Sequence, residues 1–277
     1  MNVLKRIFNF YINSSVHVAL GVYALTWVTL IQFDIDYDEN SLYFVFYATI
    51  TGYNFVKYFG VAKFHHRSLA RWLKAIQIFS FITFIALCYY TCKLNANTLI
   101  LIAILGVITF LYAIPLLPKK YFIDEQKNLR QINGLKVYVI AFVWCFTTVF
   151  LPLVNNNVSI DSDVIITGVQ RYIFVIVLML PFEIRDLNYD NLKLGTIPQR
   201  IGVVRTKIMG VLLLIVFMML EFFKNELTSN AIVTMLIMLF ITLLFVIFSQ
   251  KNQSKYYSAF WVEALPVVWL SILLTLS

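Results

Sequence analysis

Nine apolar stretches, each near 20 residues, follow one another at about 15–32, 41–59, 75–92, 97–117, 136–153, 164–182, 206–223, 230–249 and 258–276. Wound as an α-helix at ~1.5 Å per residue, such a stretch crosses the ~30 Å hydrocarbon core of a bilayer. A soluble domain could not bury nine of them. Of the 277 residues 61% are hydrophobic and 13% charged, whereas soluble domains carry about 25% charged residues. In lipid each backbone polar group must find its partner within its own segment. The expected fold is therefore an all-α, polytopic integral membrane bundle of about nine transmembrane helices. No Pro/Gly/Ser-rich linker or low-complexity tract interrupts the chain, so residues 1–277 are expected to form a single transmembrane domain. The stretches 75–92 and 97–117, joined around CKLNANT, should form a tight hairpin.

The charges between the stretches alternate. The N-terminal segment and every even-numbered loop are basic; together they carry all but three of the 22 Lys and Arg residues. Lys93, Arg171 and Lys224 fall on the other side, next to acidic loops such as Asp34, Asp36, Asp38 and Glu39. Lys and Arg stay with cytoplasmic loops, so the N-terminus is expected inside and the C-terminus outside, in a bacterial inner (cell) membrane. The formal net charge of +8 follows from the same rule, and no nucleic-acid motif accompanies it; nucleic acid is not an expected partner. The start, MNVLKRIFNFYINSS, is basic and aromatic with no small-residue cleavage site, which suits an interfacial lead-in to an uncleaved first span. Cys88, Cys92 and Cys145 lie within apolar runs. An odd count there argues against disulfides, and buried apolar positions suit them better than metal ligation.

The densest chemistry lies in PFEIRDLNYDNLKLGTIPQRIG, residues 181–202. On a continuing helix Glu183, Asp186 and Asp190 share one face. Three carboxylates that close repel one another unless something positive intervenes. Two readings fit: an interfacial acidic turn neutralised by Arg185, Lys193 and Arg200, or a divalent cation that holds a diphosphate. Mg²⁺ takes one or two carboxylates plus substrate phosphate oxygens.

This segment resembles the second aspartate-rich motif of the UbiA superfamily of membrane prenyltransferases, approximately D-I-R-D-x-x-x-D followed by Gly–Thr–Leu–Pro and Leu–Gly. Asp186 and Asp190 match its DxxxD pair, and Glu183 replaces the leading Asp. Gly195, Thr196, Ile197, Pro198 and Gly202 follow, with one residue fewer before the Pro. Nine spans with basic cytoplasmic loops also suit that family. Its first motif, N-D-x-x-D at the end of span 2, is degenerate here. In TGYNFVKYFG, Asn54 stands at the Asn, Phe55 and Tyr58 replace the two Asp, and Lys57 lies between them. Downstream, Arg67 stands where the family often has Arg–Pro, but Ser68 follows. Tyr112, Lys119 and Lys120 of LYAIPLLPKK resemble the family's span-4 end.

The resemblance implies prenyl transfer from an isoprenyl diphosphate to an aromatic or other lipophilic acceptor at a cytoplasm-facing site. It makes Asp186 and Asp190 the catalytic pair, with Glu183, Asp186 and Asp190 the ligands of Mg²⁺. Asn54, Lys57, Arg67 and Lys119 would bind the diphosphate. With the first motif degenerate, one Mg²⁺ rather than two is expected, Lys57 taking over part of the missing charge as a phosphate-binding point charge. Snorkelling of Lys57 to the head-group layer is the other reading. A catalytically inactive relative that binds an isoprenoid or lipid is the alternative function. A small transporter is the weakest, since no pair of broken helices stands in matching halves. His65 and His66 suit head-group contacts, His17 carries no signal, and Glu263 near the start of span 9 reads as interfacial.

Overall fold

The computed structural model describes residues 3–58, 71–113, 134–188, 195–225 and 227–276. Each of the nine expected stretches holds a helix among the described residues: α2 (Val16–Gln32), α3 (Glu39–Tyr58), α4 (Arg71–Thr91), α5 (Ala96–Ala113), α6 (Leu135–Cys145) running on into α7 (Leu151–Asn155), α8 (Ser162–Asp186), α10 (Val203–Glu221), α11 (Ser229–Ile247) and α12 (Leu265–Leu276). Before them lies α1 (Val3–Asn13), and α9 (Ile197–Ile201) is one short turn. Six of the described helices are long and apolar enough to cross a bilayer alone, and the bent pair α1–α2 makes up to seven. α5 is shorter, and α3 is more polar because Asn54, Lys57 and several tyrosines lie on it. The fold is an all-helical membrane bundle.

The lead-in segment is a helix in its own right, set at 54° to α2. Ser15 makes the bend in the left-handed region, φ 64°, where a non-glycine residue is uncommon. Val3, Leu4 and Ile7 point outward, while Phe8 and Tyr11 pack against Phe260 and His17. His17 is buried: Nδ1 accepts from the Tyr11 hydroxyl at 2.7 Å, and Nε2 donates to the Phe260 carbonyl at 2.8 Å. A residue without a signal in the sequence thus ties α1 to the start of the last span.

The largest core cluster joins α2, α8, α10, α11 and α12 around Phe174, Phe217 and Trp269. Outward faces carry an apolar belt, with Phe81, Ile85, Ile104, Leu212 and Phe240 all exposed, as a lipid-facing surface requires. Cys88 on α4 and Cys92 in the turn after it are exposed, which corrects the expectation of burial; Cys145 alone is buried, its thiol donating to the Gly168 carbonyl. Two spans leave the α-helical path by a wide π turn, at Phe146–Phe150 and at Tyr257–Val262.

Arg171, counted above with the non-basic side, is not a loop residue. It is 1% exposed in the bundle interior. It donates to the Leu25 carbonyl at 2.7 Å, Thr148 Oγ at 3.1 Å and Thr29 Oγ at 3.2 Å, and its guanidinium lies 5.3 Å from the Trp269 ring centre.

At the acidic end Asp38 knits three segments together. It accepts from the Ser41 backbone and hydroxyl and from the side chains of Asn155 and Asn156. Desolvation alone would raise its pKa, but these donors together lower it below the usual carboxylate value. A lowered folded-state pKa means stability that is present above the unfolded value and lost as the pH falls through the folded one. Thermal unfolding in detergent should therefore show stability dropping as the pH falls below about 4. Asp38→Asn should flatten that slope; an unchanged slope would rule the residue out as its source.

Candidate functional site

A cavity of about 1020 Å³ lies between α2, α3, α4, α5, α6, α8 and the last span. That is at the upper end of the range for small-molecule sites. Most of its wall is apolar: Phe44, Phe84, Leu87, Ile102, Leu105, Val143 and Met179 among others. Charged groups gather at the basic end, where Lys57 ends α3, Lys136 begins α6, Arg185 and Asp186 end α8, and Glu263 stands in the last span.

Four of the five are held by side-chain hydrogen bonds or ion pairs. Lys57 Nζ donates to Ser15 Oγ at 2.9 Å, and Ser15 Oγ donates to Asn54 Oδ1 at 2.8 Å. Lys136 bridges to Glu183 at 3.0 Å and to Asp186 at 3.9 Å. Arg185 pairs with Asp186 at 2.7 Å, donates to Ser258 Oγ at 2.9 Å, and lies over the Phe182 ring. Deeper in, Trp144 donates to the Tyr53 hydroxyl at 2.9 Å, leaving two large ring systems on the wall.

The expected site residues divide as follows. Lys57 and Asp186 meet at one cavity. Lys57 faces it rather than snorkelling away. Glu183 is 1% exposed and holds Lys136, so it stands behind the cavity wall. Asn54 is turned elsewhere, in contrast to the expectation of a phosphate contact. It is 3% exposed, and its amide donates to the Ser14 carbonyl and Ser80 Oγ while its carbonyl accepts from Ser15. It fixes the α1–α2 bend against α3 and α4, and through Ser15 it positions Lys57. Asp190, Arg67 and Lys119 lie outside the described residues, as do His65 and His66. At the two positions of the missing aspartates, Phe55 lines the cavity, and the Tyr58 hydroxyl donates to the Asn13 carbonyl. Three charged lining residues were not expected in the site: Lys136, counted among the loop bases, Arg185, read as neutralising the acidic turn, and Glu263, read as interfacial. Arg185 and Asp186 also border a polar cleft of about 600 Å³ with Lys251 and Lys255.

No group of three or more His, Cys, Asp or Glu positioned to hold a metal ion occurs among the described residues. One carboxylate, Asp186, borders the cavity from α8, with Glu183 behind it. Asp186 is paired with Arg185 at 2.7 Å, and α3 brings a cation, Lys57, to the same end of the cavity.

No family model and no curated protein matches the chain. A solved structure of digeranylgeranylglyceryl phosphate synthase, studied in membranes, is similar to it over 98% of this chain and 97% of that one. The identity is 14% and the TM-score 0.57. The likeness is one of fold.

Proposed function

We propose that the chain is a UbiA-like membrane prenyltransferase that moves an isoprenyl group from an isoprenyl diphosphate to a lipophilic acceptor. One observation carries this reading: a mostly apolar cavity has at one end a cluster of three cations and two acids, within a fold like that of a prenyl-lipid synthase. An isoprenyl diphosphate has the matching shape, a hydrocarbon chain with a strongly anionic head.

Lys57, Lys136 and Arg185 bind the diphosphate oxygens. They stabilise the charge that grows on the leaving group as the allylic C–O bond breaks. Tyr53, Trp144 and Phe182 present ring faces that stabilise an allylic cation. The apolar wall keeps water from capturing that cation before the acceptor does. Asp186, with Asp190 and Glu183 in support, would hold one Mg²⁺, which when bound neutralises diphosphate charge. Arg67 and Lys119 are proposed as further phosphate contacts. The basic end faces the cytoplasm in this reading, in a bacterial inner membrane, with the acceptor entering from the lipid.

Labelled geranylgeranyl diphosphate titrated into the purified protein tests the reading. Binding that strengthens with Mg²⁺ is expected, and no binding in either condition would sink it. The orientation is tested separately. Cysteine placed at Asp36 or Asn156 should react with an impermeant reagent from outside, and cysteine at Asn252 should not.

A second reading is favoured by α3, which brings Phe55 and Tyr58 where two acids are expected. Binding of an isoprenoid without turnover follows if the diphosphate binds, yet no prenylated product forms in membranes that carry the protein.

A further inference from the structure

One carboxylate at the charged end of the cavity has no part in the reaction as described. Glu263 stands where the last span is broken. After the wide turn Tyr257–Val262 the Glu263 backbone N–H reaches back to the Ser258 carbonyl, and α12 begins only at Leu265, with Pro266 in its first turn. Gly21 of α2 lies against this break. A Cβ there would come within 3.3 Å of the Glu263 carbonyl oxygen and 3.6 Å of Pro266. The close approach brings Glu263 to the cavity wall.

The neighbouring carboxylates are engaged, Glu183 with Lys136 and Asp186 with Arg185. No ion pair within 4.0 Å and no hydrogen bond reaches the Glu263 carboxylate among the described residues. Lys57 and Arg185 line the same cavity as Glu263. Lys57 gives one ammonium proton to Ser15 and has no second hydrogen-bond acceptor among the described residues. Charges this deep in a membrane protein need partners, and these two are near each other without being locked together.

We propose that Glu263 is the resident counter-anion of the diphosphate site. It balances Lys57 and Arg185 in the ligand-free protein, and it competes for them with the phosphate oxygens of the incoming diphosphate. This rests on the prenyl-diphosphate reading above. It accounts for a cation at Lys57 between two positions, Phe55 and Tyr58, where the resemblance expects acids: the compensating carboxylate comes from the last span instead of from α3. The arrangement exchanges ligand affinity for stability of the free protein, as strained or charged functional sites commonly do.

A merely structural glutamate would move stability and affinity in the same direction when changed. A competing counter-anion moves them in opposite directions. Glu263→Gln in lipid nanodiscs should therefore unfold at lower temperature without ligand, yet bind geranylgeranyl diphosphate at least ~10-fold more tightly. Glu263→Asp, which keeps the charge, should stay within about threefold of the unmodified protein. Should Glu263→Gln not fold, Lys57→Met serves as the background. Adding Glu263→Gln to it should still tighten binding several-fold through Arg185. Unchanged or weaker affinity in the Gln variants overturns the proposal alone. Failure of the unmodified protein to bind, with or without Mg²⁺, overturns the proposal together with the reading it rests on.

Discussion

Alanine in place of Lys57 is expected to weaken binding of geranylgeranyl diphosphate by roughly 30- to 5,000-fold, the equivalent of about 2–5 kcal/mol for removing one partner of a desolvated charge pair. The range is wide because the loss depends on how dry the site becomes. The direction follows from the position of Lys57, whose ammonium is held by Ser15 at the charged end of an otherwise apolar cavity. Lys57→Arg should recover much of the loss, since it restores the charge within reach of the same oxygens. Asp186→Asn should behave differently: it removes a metal-binding oxygen, so the Mg²⁺ dependence should fall together with the affinity. If the cavity instead holds a neutral lipid, Lys57→Ala should leave binding within about a factor of three. Titration of labelled ligand with and without Mg²⁺ separates the outcomes.

Arg171→Ala should cost about 2–5 kcal/mol of stability, the range for emptying a large buried side chain. The guanidinium joins the Leu25 carbonyl and Thr29 of α2 to Thr148 in the π turn and to the Trp269 ring of α12. Its removal leaves two hydroxyls and a carbonyl to find other partners and opens a void beside Trp269. Relief from burying a charge works the other way. Arg171→Met measures that term, because it fills the volume without the charge, and it should cost less than Arg171→Ala. Arg171→Lys should not substitute fully, since an ammonium lacks the planar fork and the ring stacking. Unfolding in detergent reads all three variants. A loss below about 0.5 kcal/mol for Arg171→Ala would show that the network is not holding the bundle.

The helices were legible because hydrocarbon permits only one solution to an apolar run of this length, and hydropathy reports it directly. Side-chain direction was less legible. Asn54 and Lys57 are three residues apart on α3, about 60° around the helix. The short amide reaches neighbouring helices, while the long lysine reaches the cavity. Lys136 was hidden by success of another kind: a tally of basic loops counts it and Arg185 among loop bases, although both side chains line the site. Arg171 carried a usable signal, since an arginine inside a span is a functional or structural candidate by default. Glu263 carried the same signal, muted by its closeness to the end of its span. The break that presents it has no simple sequence mark beyond Pro266. The bend at Ser15 was also unreadable, because serine rarely takes the left-handed conformation it holds there.

The two wide turns, Phe146–Phe150 and Tyr257–Val262, bear on how this chain can change length over time. In an uninterrupted α-helix each added residue would swing everything beyond it by about 100° and expose the wrong face to lipid. A π turn absorbs the extra residue locally, so the segments on either side keep their neighbours. Spans five and nine are therefore places where a residue can enter or leave a membrane helix without repacking the bundle. Distant relatives of this fold should align with it only when a one-residue gap is opened inside these two spans, where alignments of membrane helices ordinarily forbid one.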